Sequence, residues 1–230
     1  MAKQNVWLHV SDLMTGLMII FLFIAVAYIR KVQQSANVLS DYVETKDRLH
    51  EKLVKEFAGA KWEMNIGKDL SMKFRNPTTL FKSGSAEITP AFRSILDQFI
   101  PKYFNILLND ELRSNIQEVR IEGHTDDVPY PQLNKDPYIA NAILSQQRAL
   151  SVLAYIRQMP FFINIDKNKK KWLEHWITSN GLSFGRSLDK DGVETFVSNN
   201  SIDKEKSRRV EFKIITTGDE VLENFVNKNK

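Results

Sequence analysis

The chain has 230 residues, with 32 Lys and Arg against 28 Asp and Glu, a net charge of +4 and a pI of about 9.1. It contains no cysteine, which excludes disulfides, thiolate catalysis and cysteine-based zinc sites. Its basicity is scattered, and the one dense run, KNKKK at 167–171, reads as a solvated loop rather than a nucleic-acid contact.

The run Val10–Ile29 departs from apolar or aromatic residues only at Ser11, Asp12, Thr15 and Gly16. As a helix rising about 1.5 Å per residue it spans the roughly 30 Å hydrocarbon core of a bilayer. Asp12 is its only charge. An Asp at the centre of a membrane helix costs about 2.5–3.5 kcal/mol and less toward the interface, so it is expected to face a partner or a cavity. Asp12, Thr15, Gly16 and Ile19 fall on one helical stripe, a narrow face suited to another helix. Two other readings stay open. Lys3 followed by the apolar run and Ala25-Val26-Ala27 has the look of a cleaved signal peptide. Asp12 could also act as an N-cap where the helix opens at the interface. Flanking charge does not orient the segment well. Lys3 precedes it and Arg30 and Lys31 follow, so a literal positive-inside count places the large domain in the cytoplasm.

Residues 30–61 lack proline, and Val32, Leu39, Val43, Leu49, Leu53 and Phe57 recur at helical steps. A helical connector is expected there, continuing from the membrane, with Leu39, Leu49, Leu53 and Phe57 holding a dimer and setting a reach. From 62 to 217 the pattern is that of an α+β domain in the order βαβαββ. A first strand is centred on Leu70, Met72 and Phe74 and ended by Asn76-Pro77. A helix starts at Thr89-Pro90. A strand with Val119 and Ile121 on one face follows, then a second helix from Pro137. An irregular insert is expected near 160–175, then a strand within WITSNGLSFG and a last strand with Val210, Phe212 and Ile214 on one side. Residues 218–230 form a tail.

The segments LFKSGSAEITP, IEGHTDD, LSQQRALSVLAYI and SRRVEFKI, in that order, resemble the OmpA-like peptidoglycan-binding domain over roughly residues 70–217. The N-terminal SDLMTGLMIIFLF resembles the single transmembrane helix of MotB-type subunits in ion-driven motors. Within that class, the short tail, the DLMT..M..FL pattern and the compact length resemble the ZorB family of Zorya anti-phage systems. The resemblance implies that Asp12 carries the translocated ion, H⁺ or alternatively Na⁺, and that no other cofactor is needed. It implies two copies of this chain inside a ring of five MotA- or ZorA-like multi-pass subunits. The wall domain would be periplasmic and residues 1–9 cytoplasmic, on a single-pass inner-membrane protein. This ligand argument outweighs the charge count.

The ligand implied at the wall end is a diaminopimelate-containing stem peptide, a zwitterion. Asp126 would accept from its amine and Arg148 would grip a carboxylate with two bonds. Asn141 would hydrogen-bond the peptide and Leu144 would form an apolar wall. Asn141, Leu144 and Arg148 are three and four residues apart, on one helical face expected to be exposed to ligand. Thr125, Arg208 and Arg209 flank the same site. The loop TDDVPYPQLNKDPYIAN is longer and richer in proline than in OmpA itself and resembles the MotB side of the family. His124 beside Asp126 and Asp127 raises a metal site or a charge relay. No second His stands at ligand spacing and no motif places a nucleophile, so neither a metal nor an enzyme activity is expected. His124 is expected to hold the strand end. Three functions remain: an anti-phage motor stator, a flagellar stator, and a passive tether from membrane to wall, which needs no intramembrane Asp.

Overall fold

The computed structural model describes residues 2–60, 62–75, 80–82 and 84–219, apart from the side chains of 2–6, 8–9, 34–39 and 41. Leu39, the Asn76-Pro77 stop and residues 220–230 of the tail therefore lie outside the described residues.

Helix α1 runs unbroken from Ala2 to Phe57. Within it, Val10–Gln33 is long and apolar enough to cross a membrane, and none of that stretch is buried against the rest of the chain. After α1 come β1 (Met64–Ile66), β2 (Ser71–Phe74), α2 (Pro90–Leu107), β3 (Ile116–His124) and α3 (Pro137–Gln158). Then follow α4 (Pro160–Asn164), α5 (Lys167–Trp176), β4 (Ile177–Gly181), the short α6 (Thr195–Ser198) and α7 (Lys204–Ser207), and β5 (Arg209–Thr216). The sheet order is β1-β2-β5-β3-β4. Among the described strands only β3 and β4 pair in parallel, and the helices α3–α5 supply the crossover that a parallel pair needs.

Helix starts follow local chemistry. Thr89 Oγ1 accepts from the Phe92 amide at 3.1 Å with Pro90 in the first turn of α2. The Asp136 carboxylate accepts from the Tyr138 amide at 2.8 Å ahead of α3. One face of the sheet, with Met72, Phe74, Val119, Ile121, Val210, Phe212 and Ile214, is buried. It meets the aromatic side of α2, where Phe99 lies 4.9 Å from Phe74 and 5.1 Å from Phe212, ring centre to ring centre. Burial of such side chains is worth roughly 1.5–3 kcal/mol each.

Three expectations need correcting. The single strand expected around Leu70 is a hairpin. Gly67 and Ser71 close it backbone to backbone, Asp69 accepts from the Ser71 hydroxyl at 2.6 Å, and Leu70 has φ 60. Leu70 therefore belongs to the turn, although its side chain is buried. The insert near 160–175 is helical. Pro160 opens α4, and Asp166 caps α5 by accepting from the Asn168 amide at 2.8 Å. KNKKK thus lies on a helix rather than a loop, anchored through buried Leu173 and Trp176. Third, Leu49, Leu53 and Phe57 are no dimer seam: all three are buried in the domain core, with Phe57 5.1 Å from Phe99. Their spacing of four residues makes one stripe, and α2 takes it. Glu56 pairs with Lys102 at 2.9 Å across the same contact.

A second clasp holds α1 to the end of β5. Asp219 Oδ1 accepts from the Tyr42 hydroxyl at 2.8 Å and from Lys46 Nζ at 2.9 Å. Its other oxygen accepts from the Thr216 amide and hydroxyl, both at 2.7 Å.

Candidate functional site

Helix α3 lies tight against the ends of β3 and β4, and two glycines allow it. A Cβ at Gly123 would stand 2.2 Å from the Ser145 carbonyl oxygen, and one at Gly181 would stand 2.3 Å from the Gln146 amide nitrogen. That approach sets the first turns of α3 beside the segment that leaves β3. The loop after β4 completes the join: Thr125 N donates to the Ser183 carbonyl at 3.0 Å, and Ser183 N donates to Ser145 Oγ at 3.0 Å.

Asp126 stands just past β3 and is buried. Its Oδ1 accepts from the Val128 amide at 3.1 Å, and its Oδ2 lies 3.3 Å from Arg208 Nη1. Asn141 Nδ2 donates to the Val128 carbonyl at 2.9 Å and to the Pro137 carbonyl at 3.0 Å. Arg148 Nε donates to the Ser85 carbonyl at 3.0 Å, and its guanidinium sits 5.1 Å from the Phe81 ring centre. Burial lowers the pKa of that guanidinium, Tyr130 and Asp126 raise it, and Arg208 lowers it again. Four of the named groups thus share one electrostatic neighbourhood.

Asn141, Leu144 and Arg148 share a face, but that face is buried, with Asn141 at 0% and Arg148 at 6% exposure. The expected open ligand face is corrected on that point. The loop carrying Phe81 and Ser85 and the segment around Val128 fold over it and take its hydrogen bonds. Neither loop's part was assigned from sequence. The only signal was that LFKSGSAEITP stood among the recurring segments. The two arginines separate. Arg208 reaches Asp126, whereas Arg209 turns to Glu211, with Nε 2.5 Å from Oε1.

Several buried polar atoms here have no hydrogen-bond partner: Thr125 Oγ1, Asp126 Oδ2, Asn141 Oδ1 and Arg208 Nε. Unmade bonds of this kind cost about 1–3 kcal/mol each, and their concentration beside one strand end suits a ligand that is polar at both signs. Asp126 offers an anion, and Arg208 with Arg148 offers guanidinium donors. In the membrane stretch Asp12 is exposed, and Thr15 Oγ1 donates back to the Ser11 carbonyl at 2.8 Å.

The chain is 35% identical over 222 residues to the Zorya protein ZorB of Escherichia coli, covering 93% of this chain and 88% of that protein. The chain belongs to the ZorB family. Residues 80–163 of this ZorB-family chain match the OmpA family, a span that holds Asp126, Asn141, Leu144 and Arg148. Among solved structures it is similar to a MotB-like protein from Desulfovibrio vulgaris, with 20% identity, 76% of this chain and 93% of that chain covered, and a TM-score of 0.49. It is also similar to the periplasmic domain of Helicobacter pylori MotB, with 17% identity, coverage of 69% and 84%, and a TM-score of 0.43.

Proposed function

We propose that this chain is the wall-anchored, ion-conducting B-type subunit of an inner-membrane motor acting in anti-phage defence, with no catalytic chemistry of its own. The observation that carries the reading is Asp12, the one charge in the membrane-length run Val10–Ile29, of which no residue is buried against the chain itself. A lone helix cannot shelter a carboxylate from lipid, so partner helices must surround it. A MotA- or ZorA-like multi-pass subunit, five around two copies of this chain, fills that role. Asp12 binds a proton from one side and releases it to the other, and the exchange biases the partner between conformations. Sodium is the alternative ion.

The domain is periplasmic in this reading and grips the stem peptide of peptidoglycan. Asp126 takes the ligand's amine, Arg208 and Arg148 take its carboxylate, and Asn141 and Thr125 complete the hydrogen bonds. The unpartnered atoms around Asp126 support that assignment. Leu144 packs as the apolar wall, and residues 1–9 remain cytoplasmic.

The test is Asp12→Asn, which keeps size and hydrogen bonding but cannot cycle a proton. Cells carrying the chain with its multi-pass partner are challenged with phage. The variant is expected to insert and assemble normally and to give no protection. Full protection by Asp12→Asn would leave the passive tether as the reading.

A further inference from the structure

The face of the sheet opposite the aromatic core is not left to solvent at its β3–β5 end. Glu122 and His124 alternate with the core-facing Ile121 and Gly123, and register places Glu211 directly across from Glu122 and Arg209 across from His124. All four are buried. The segment between β4 and β5 covers them, and Arg209 donates to the Arg186 carbonyl at 3.2 Å and the Ser207 carbonyl at 3.1 Å.

Two carboxylates meet in this pocket, with Arg209 on Glu211 and Lys73 in register across from Glu211 on β2. Like charges directly opposite on neighbouring strands repel, the more so away from water. Arg209 Nε pairs with Glu211 at 2.5 Å, and Glu122 Oε2 lies 3.5 Å from His124 Nε2. Both ring nitrogens of His124 lack a hydrogen-bond partner although the residue is only 2% exposed. A neutral imidazole carries one donor and one acceptor, so both are wasted as they stand.

We propose that Glu122, His124 and Glu211 bind one divalent transition-metal ion of the zinc class, bridging β3 and β5 behind the Asp126–Arg208 pair. His124 Nε2 lies 3.5 Å from Glu122 Oε2 and 3.6 Å from Glu211 Oε1. Those separations are long for N–H···O bonds. They are close to the edge, about 3.4 Å, of a tetrahedron whose corners stand about 2.0–2.1 Å from a zinc ion. One ligand atom from each of the three residues lies within 4.8 Å of the others. An imidazole nitrogen beside two carboxylates selects zinc or cobalt over calcium or magnesium, which take oxygen ligands. Arg209 Nε donates to Glu211 Oε1, the same oxygen that faces His124, so the arginine would orient that oxygen and share it with the ion. Arg186 and Lys73 also act on His124 as positive charges, and they temper the affinity for any cation. The ion would pin two strand ends, immediately before Thr125-Asp126 and immediately after Arg208.

The experiment uses the full chain in detergent, stripped with chelator and titrated with cobalt chloride alone. One cobalt per chain is expected by elemental analysis, with the visible bands of a four-coordinate ion, displacement by zinc, and a higher Tm in metal than in chelator. Glu122→Gln and His124→Gln should each bind at least tenfold more weakly, and both should lose the metal-dependent part of Tm. His175→Gln, on exposed α5, should bind as the wild type does. If His124→Gln does not fold, Glu122→Gln decides, with circular dichroism as its check. A wild-type chain that takes up no stoichiometric cobalt overturns the proposal, as does a folded Glu122→Gln that binds as tightly as wild type. In either case Glu122, His124 and Glu211 do not hold the ion.

Discussion

Helix α1 carries two apolar stretches with different fates. In Val10–Gln33 nothing is buried, whereas Leu49, Leu53 and Phe57, farther along the same helix, are packed into the domain core. From Val10 to Ile29 the first stretch is apolar on all but one narrow side, with Asp12 its one charge, which suits lipid and partner helices. The second is apolar on one stripe, with Arg48, Lys52 and Lys55 on other sides, which suits a helix lying on a domain. Periodicity reports that a residue seeks burial. It does not report against what.

If the two stretches act as one rigid rod, the segment between them sets how far the domain stands from the membrane. Deleting residues 34–40, about two turns, would shorten the reach by roughly 10 Å while nearly keeping the rotational register. Assembly with the multi-pass partner should survive, and sacculus engagement or phage protection should be lost, read by co-purification and by phage challenge. Normal protection would mean that the spacing between the stretches is not measured.

The docked stretch is tested by Leu53→Ala. Removing a fully buried leucine from a packed core costs about 2–5 kcal/mol, so the unfolding midpoint of the domain should fall by several degrees. Leu22→Ala, in the exposed stretch, should leave that midpoint unchanged. Equal effects from the two would erase the distinction between the stretches.

Much of this fold was legible from residue order. Thr89-Pro90 and the run from Pro137 announced their helices, and the alternation at Val119, Ile121, Val210, Phe212 and Ile214 announced the inner sheet face. What escaped were events that depend on a distant partner. Leu53 looked like a seam because its partner α2 lies some 40 residues on. KNKKK looked like a loop because the anchors of its helix, Leu173 and Trp176, follow the lysines. At the site, the neighbourhood of Asp126 and Arg208 followed from the resemblance, but the burial of Asn141 and Arg148 did not. It depends on Phe81, Ser85 and Val128 lying against α3, and no spacing encodes that. The same holds for Glu122, His124 and Glu211, whose proximity comes from strand register.

The docked stretch matters for anchoring only if its domain grips the wall. Arg148→Ala with Asn141→Ala should weaken binding to isolated sacculi by roughly ten- to hundredfold, the loss of one charge-assisted bidentate contact worth about 1.5–3 kcal/mol. Because both residues are buried, some loss of stability must accompany it. Arg208→Ala, at a side chain 33% exposed, should weaken binding with the fold intact, and sedimentation with sacculi checks both. Unchanged binding in both variants would separate the Asp126 neighbourhood from the wall.

The smallest effect is expected at the Tyr42–Lys46–Asp219 clasp, which holds α1 beyond the end of the exposed stretch at Gln33. Burial acts to raise the pKa of Asp219, but hydrogen bonds from Thr216, Lys46 and Tyr42 outweigh it and hold the carboxyl below its ordinary value. A carboxyl depressed in the folded state stabilises that state above its unfolded pKa, about 3.9, and loses the contribution as pH falls through the folded value. The clasp should therefore be constant from neutral pH down to about 5 and loosen only in stronger acid. Lys46 stays charged throughout, so only the carboxylate titrates in that window. Asp219→Asn should reproduce the acid form at neutral pH. The pair is partly exposed, at 20% and 27% for the two side chains, so solvent screening limits the loss to under about 1 kcal/mol. Amide hydrogen exchange at residues 42–46 and 216–218 is the fitting measurement. Faster exchange there, with residues 49–57 still protected, would show α1 held by two separable contacts; loss of protection at both would make them one cooperative dock.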